Sequence, residues 1–339
     1  MSPRSRICDI IRENRSFLVL SHINPDGDAV GSMFALGSIL RCLGKDVLYC
    51  NESGLPEHFS WLAAADQEVL REAPAEGYDW AIALDCGDAS RLGDSVESVL
   101  DFQKSVNIDH HQGNSEFAAV NWIEQRSSVG EMIALLARDL DVAPTGALGE
   151  ALYLALVTDS GFFSYSNTTA ETLRIAADIL EQDLDLDRFN ANLLRQWNPQ
   201  TVRLHGLVLQ NAFLAVSGRV GVVAVDQSML EQTGASWEDT ENLVDYMRRV
   251  RGVQVSLCLK EEQSGRTKLS LRSWGEVDVR AIAAELGGGG HANAAGGILF
   301  EDLDRARDRV IRQIARHLDR PLPGTSPEDP PSDTRWSRP

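Results

Sequence analysis

Asp109, His110 and His111 set one carboxylate and two imidazoles side by side, and three other short motifs supply what they would need to hold two metal ions. His22, Asp26 and Asp28 stand together, Asp85 closes the apolar run 80–84, and Asp159 follows the apolar run that ends at Val157-Thr158. Imidazole plus carboxylate is a borderline-to-hard ligand set suited to Mn²⁺, with Mg²⁺, Co²⁺, Zn²⁺ or Fe²⁺ as alternatives. No thiolate joins the set, which argues against a structural zinc. Two divalent cations about 3.5–4 Å apart activate a water and stabilise attack and departure at phosphorus. Singly, Asp26-Gly27-Asp28 reads as a turn and Asp85 as a helix N-cap. Jointly, four such motifs, each closing an apolar segment, point to a dinuclear site.

The ends of strands must deliver those groups. Residues 17–21, 46–50, 80–84 and 105–108 are short, nearly continuous apolar runs, and 29–43 has helical periodicity. This alternation predicts an α/β architecture, a doubly wound parallel sheet covered on both faces. In such sheets ligands collect beyond the carboxyl ends of the strands, which is where His22, Asp85, Asp109 and His110 fall. Asp159 follows a segment that reads as helix. Ser128 with Glu131, and Thr168 with Glu171, have the capping-box form and predict helices running to Leu140 and Leu180.

A catalytic domain is expected over 1–186, a helical linker over 187–212, a smaller α/β substrate domain over 213–318 and a disordered tail over 319–339. In the second domain 219–225, 253–259 and 267–272 alternate like strands, and helices are expected over 236–250, 279–286 and 302–318. Gly287, Gly288, Gly289 and Gly290 can bring backbone N–H groups against a phosphate or sugar, because no Cβ intervenes. Arg272 and His291 add charge-assisted donors. Trp274 is placed to stack on a base, although a packing role is the plainer reading. Cys86 reads as a small buried thiol.

A length of 339 residues allows two domains and a large core. Five cysteines without a C-x-x-C pair fit a reducing cytosol. No run reaches the ~18–20 apolar residues needed to cross a bilayer, so a cytoplasmic protein with no membrane partner is expected. A net charge of −18 argues against phosphate-based gripping of long duplex nucleic acid. It leaves room for short substrates, since bound cations reverse the local field.

The motifs His22-x-x-x-Asp26-x-Asp28, Asp85, Asp109-His110-His111 and Thr158-Asp159-Ser160-Gly161 resemble those of the DHH phosphoesterases. Arg272-Ser273 followed by Gly287 to His291 resembles a DHHA1 substrate domain. Length and layout are similar to the NrnA-type nanoRNase/pAp phosphatase subgroup. The resemblance implies that His22, Asp26 and Asp85 hold one ion and that Asp28, Asp85, His110 and Asp159 hold the second, with Asp85 shared. His111 would donate to the scissile phosphate, and Asp109 would orient an imidazole. Arg272, Ser273, Gly288, Gly289, Gly290 and His291 would grip a terminal nucleotide.

The implied activity is Mn-dependent hydrolysis of short oligoribonucleotides and linear dinucleotides to mononucleotides, and of 3′-phosphoadenosine 5′-phosphate (pAp) to AMP. A homodimer is compatible with the pattern. An inorganic pyrophosphatase or exopolyphosphatase, a RecJ-like single-strand exonuclease and a metal-dependent nucleotide sensor are the competing readings. The glycine loop counts against the first. The lack of further basic domains counts against the second, and the intact ligand set counts against the third.

Overall fold

The apolar runs of the first half form the middle of a six-stranded sheet. A computed structural model describes residues 2–62, 67–195 and 197–319; the expected tail lies outside them beyond residue 319, as does the side chain of His291. The chain divides into two units, Met1–Gln196 and Trp197–Pro339. The break falls inside the expected linker.

Unit 1 runs α1 (Pro3–Glu13), β1 (Ser16–Ser21), α2 (Gly27–Cys42), β2 (Asp46–Cys50), β3 (Val69–Leu70), β4 (Trp80–Leu84) and α3 (Asp94–Glu97). It continues through β5 (Ser105–Asp109), β6 (Val120–Ile123), α4 (Val129–Asp139), α5 (Gly146–Asp159), α6 (Ala170–Leu180) and α7 (Leu186–Leu194). The strand order is β3-β2-β1-β4-β5-β6, and every pair is parallel. The order reverses between β1 and β4, so the ends of these two strands open onto the crevice where doubly wound sheets take ligands. Both faces are buried, which is why the strands read as unbroken apolar runs. Phe17 and Val19 join the layer of Phe34, Leu36 and Leu152, and Leu18 and Leu20 join Leu92 and Val96. Each such side chain contributes about 1.5–3 kcal/mol.

Helices α2 and α5 meet almost backbone to backbone. A Cβ on Gly31 would lie 2.5 Å from the Ala151 carbonyl oxygen, and one on Gly27 would lie 2.4 Å from Thr158 Cγ2. This closeness brings Asp28, in the first turn of α2, beside Asp159 at the end of α5. We expect Gly31→Ala to cost about 1–3 kcal/mol through overpacking. Thermal unfolding checks this, and a wild-type Tm would show that the two helices tolerate separation.

Unit 2 runs α8 (Pro199–Gln210), β7 (Phe213–Ala215), β8 (Val220–Val225), α9 (Gln227–Thr233), α10 (Leu243–Arg248), β9 (Val255–Gln263) and β10 (Arg266–Ser273). It ends with α11 (Val279–Glu285), β11 (Gly289–His291), β12 (Ala294–Leu299) and α12 (Leu303–Leu318). Its sheet order is β11-β12-β10-β9-β8-β7, antiparallel except for β8 with β9.

Four local expectations change. Ser128 caps α4, accepting from the Glu131 amide at 3.1 Å, but the Glu131 carboxylate bonds elsewhere, so the box is half made. The cap of α6 is Thr169 with Thr172, one residue later than expected, while Glu171 pairs with Arg138. The helix expected over 236–250 shrinks to α10, because Asn242 turns left-handed at φ 60°. The glycine loop is partly strand, since Gly289 and Gly290 belong to β11.

Candidate metal centre

Each motif of the first half ends at the carboxyl edge of the unit 1 sheet. His22 follows β1, Asp85 follows β4, and Asp109 ends β5, leading into His110 and His111. Asp26 caps α2, with Oδ1 accepting the Asp28 and Ala29 amides at 3.1 Å each. Three triads have ligand atoms within 4.8 Å of one another: His22, Asp26 and Asp85; Asp85, His110 and His111; and Asp28, His110 and Asp159.

Asp85 is the hub. It is 3% exposed, and its Oδ1 is buried without a hydrogen-bond partner. Oδ2 lies 3.5 Å from His22 Nε2, and Oδ1 lies 3.6 Å from His110 Nε2 and 3.4 Å from His111 Nδ1. Its backbone is left-handed, φ 56°, and its amide donates to the Ile108 carbonyl at 3.1 Å. Aspartate, with its short polar side chain, is among the few residues besides glycine that visit this conformation.

Two imidazoles are held in one sense. His22 Nδ1 donates to the Ile23 carbonyl at 2.8 Å, and His110 Nδ1 donates to the Arg126 carbonyl at 3.1 Å. With Nδ1 engaged as donor, Nε2 carries the lone pair in the neutral ring, the arrangement a metal ligand needs. His110 Nε2 faces Asp159 Oδ2 at 3.7 Å and Asp28 Oδ2 at 3.9 Å. His111 is turned the other way, its Nδ1 donating to Asp109 Oδ1 at 2.7 Å. Asn114 Nδ2 in turn donates to Asp109 Oδ2 at 2.6 Å.

Burial sets the charges of this cluster against one another. Burial would depress His110, but Asp28, Asp85 and Asp159 hold it up to about 9. Burial pushes Asp159 up to about 7, Asp85 and Asp26 adding to the rise and His110 opposing it. Burial and the charges of Asp85 and Asp159 drive Asp28 well above the usual carboxylate range. Burial would also raise Asp85, but contact with His22 and the charges of His110 and His111 hold it far below. Carboxylates crowded around one imidazolium, with an orphaned oxygen at the centre, are relieved by divalent cations. Donor chemistry and geometry therefore fit a two-ion site.

Several supporting residues gave no separate signal in the sequence. Asp28 accepts the Val129 and Gly130 amides at 2.7 and 2.9 Å and the Ser32 hydroxyl at 2.9 Å, so the same carboxylate caps α4. Asn51 Nδ2 donates to the His22 carbonyl at 2.8 Å and to Ser21 Oγ at 2.9 Å. Glu131, fully buried, accepts from Arg126 at 3.0 Å, Ser127 at 2.6 Å and Thr172 at 2.8 Å. It thereby fixes the segment whose carbonyl holds His110. We expect Glu131→Gln to weaken metal binding about 10-fold or more and to cost about 1–2 kcal/mol, since Arg126 keeps its bonds to Glu124. Calorimetric titration with Mn²⁺ and thermal melts separate the two effects. Cys86 is buried, bonds the Asp88 carbonyl at 3.1 Å, and is pushed by burial up to about 12, an inert thiol.

In unit 2 the expected substrate residues do not all face one way. Arg272 is half-buried and donates to the Leu271 carbonyl at 3.1 Å. Ser273 is turned inward. It is 1% exposed, donates to the Val277 carbonyl at 2.6 Å and accepts from Asn293 at 2.9 Å, so its hydroxyl holds a turn. A Cβ on Gly288 would strike the Gly296 carbonyl and one on Gly290 the Ala294 carbonyl, whereas one on Gly289 would meet nothing within 4 Å. Trp274 is about half exposed, with the Arg248 guanidinium 4.3 Å from its ring centroid.

The switch point of this doubly wound sheet gathers three imidazoles and four carboxylates, a donor set that defines a metal-dependent class of α/β hydrolase enzymes distinct from those with a serine nucleophile. Residues 16–156 match the DHH family, N-terminal domain, and 218–316 match the DHHA1 domain. The chain belongs to this DHH family. It is 33% identical over 309 residues to the bifunctional oligoribonuclease and PAP phosphatase NrnA of Thermus thermophilus, covering 89% of this chain and 90% of that protein. The Bacillus subtilis protein of the same name is 27% identical, covering 86% of this chain and 91% of that protein. An exopolyphosphatase-related protein from Bacteroides fragilis shares the fold, with a TM-score of 0.85 at 23% identity over 93% of this chain and 95% of that one.

Proposed function

We propose that the chain is a two-metal phosphoesterase that releases mononucleotides from short oligoribonucleotides and linear dinucleotides and converts pAp to AMP. The observation that carries this reading is Asp85, a buried carboxylate within reach of three imidazoles and with one oxygen left unpartnered. The likeness to the two NrnA proteins over nearly all of the chain supports the choice of substrate. No helix among the described residues is long and apolar enough to cross a membrane, which fits a cytoplasmic enzyme.

His22, Asp26 and Asp85 would hold one cation, and Asp28, Asp85, His110 and Asp159 the other, with Mn²⁺ the best match to this donor set. The bound cations supply charge neutralisation at phosphorus and an acidified water. The chain's own residues do the rest. The carbonyls of Ile23 and Arg126 keep the Nε2 atoms of His22 and His110 turned to the carboxylates. Asp109, steadied by Asn114, accepts from Nδ1 of His111 and fixes the ring, so that Nε2 is the ring atom that would face the departing oxygen. Arg272 and the Gly289 edge would bind the nucleotide; a direct role for Ser273 is disfavoured by its inward bonds.

The test is Mn²⁺-dependent turnover of three substrates side by side: a labelled pentaribonucleotide, pAp and pyrophosphate. Mononucleotides from the first and phosphate from the second are the expected result. Turnover of pyrophosphate alone would keep the metal site and overturn the nucleotide assignment.

A further inference from the structure

The chain contains only four lysines, Lys45, Lys104, Lys260 and Lys268, and two of them stand opposite each other. Lys260 on β9 is the register partner of Lys268 on β10. Like charges opposed across an antiparallel pair destabilise it. Neither ammonium makes a direct ion pair among the described residues, and Glu241 and Glu262 attract Lys260 from a greater distance. Burial, with Lys268 adding to it, lowers the pKa of Lys260. Lys260 is half-buried and Lys268 exposed, so the pair opens to solvent on the Lys268 side.

Residues paired across strands point to the same side of a sheet. The register therefore sets Lys260, Lys268 and Ile298 in one row, Ser270, Gly296 and Gly289 in the next, and Arg272 and Ala294 in the third. Toward β8 this face is covered by Leu204, Val208, Leu243 and Met247, which pack on Val223 and Cys258. Toward β11 it is open: Lys268 is exposed, Ile298 is 39% exposed, and Gly289 has free space above it. Arg272 and Lys268 are four residues apart on β10, about 13 Å at the rise of a strand.

We propose that Lys260 and Lys268 form a phosphate subsite for oligoribonucleotides of three or more nucleotides, one basic row beyond Arg272, and so favour oligomers over single nucleotides. This rests on the reading of the chain as a nuclease of short RNA. Gly289 and Gly296 between the rows raise no side chain, so a sugar–phosphate backbone can pass from one row to the other. Lysine suits the task because its compact charge on a flexible stem meets a phosphate without the fixed planar geometry of arginine. The contact reads no base and accepts any sequence. Charge complementarity favours this occupant, since Lys260, Lys268 and Arg272 are cationic positions on one sheet face and the backbone of RNA supplies a row of anions. Substrates with a single nucleoside, such as pAp, do not span the two rows.

The experiment uses the full chain in EDTA, where turnover stops, and follows the anisotropy of a fluorescein-labelled pentaribonucleotide across a potassium chloride series. Lys268→Gln and Lys260→Met are each expected to reduce the slope of log Kd against log salt by about 0.7. With metal-loaded enzyme, the ratio of kcat/KM for the pentamer to that for pAp falls about tenfold in each variant. Relief of the repulsion raises the Tm of Lys268→Gln by about 1–3 °C. A variant slope equal to wild type, or equal losses on pentamer and pAp, overturns the subsite while leaving the nuclease reading intact. Failure of the wild-type protein to bind and cut the pentamer overturns both.

Discussion

Asp85→Asn is expected to lower kcat/KM on the pentaribonucleotide and on pAp by at least about a thousandfold, the loss of several kcal/mol of metal-assisted stabilisation. It should also leave fewer than two Mn²⁺ bound per chain in a calorimetric titration. The reason is geometric. Asp85 has one oxygen facing His22 and the other facing His110, so no neighbour can take over both contacts. Asparagine keeps the size and tolerates the left-handed backbone, which limits the change to charge. Turnover within tenfold of wild type would sink the two-metal mechanism.

The second large effect concerns pH. His110 is raised from its ordinary 6.5 to about 9, so the stability it contributes is complete below pH 6.5 and is lost as pH rises through about 9. Asp159 is raised from 3.8 to about 7, so its contribution is present below pH 3.8 and is lost as pH rises through about 7. Both contributions fall as pH rises, but the fall in that of Asp159 is complete by about pH 7, so His110 carries the loss above neutrality. The metal-free protein should therefore lose a few kcal/mol between neutral pH and pH 9, with the first unit's Tm falling about 5–10 °C. Bound cations replace those protons, so the loaded protein should hold its Tm over the same window and release protons on binding metal. Calorimetric scans with and without EDTA at a series of pH values decide it. A metal-free Tm that is flat or rising across this window would contradict the charge arrangement.

The centre of the unit 1 sheet was legible because burial on both faces writes β1, β4 and β5 as continuous apolar runs. Of the candidate site, His22, Asp85, Asp109 and His110 were legible because they fall at or just past such runs, whereas Asp28 lies in α2 and Asp159 ends α5. Short edges were not. Two-residue β3 carries almost no pattern, and β11 and β12 are built from Gly and Ala, which are depleted in strands. The sequence pointed to Thr168 with Glu171 as the cap of α6, and the fold uses Thr169 with Thr172 instead. The supporting network was hidden for a different reason. Asn51, Asn114 and Glu131 look like solvated polar residues in one dimension, and only the fold reveals that each satisfies a buried group around His22, Asp109 or His110. Asn114, three residues past His111, is the one whose spacing ties it to the motif. The inward turn of Ser273 was likewise invisible, although strand alternation already required it to face away from Arg272.

The backbone at Asp85 also narrows the routes by which this centre can drift. In a left-handed conformation, aspartate, asparagine and glycine are tolerated, whereas longer or branched side chains add strain. Glutamate, the obvious alternative carboxylate, would bring both an extra methylene into a buried hub and an ill-suited backbone. A lineage altering its ion preference must therefore begin elsewhere. Asp26, whose side chain is 63% exposed at the rim, offers the least resistance. Exchange among relatives should appear there first, with position 85 held as aspartate.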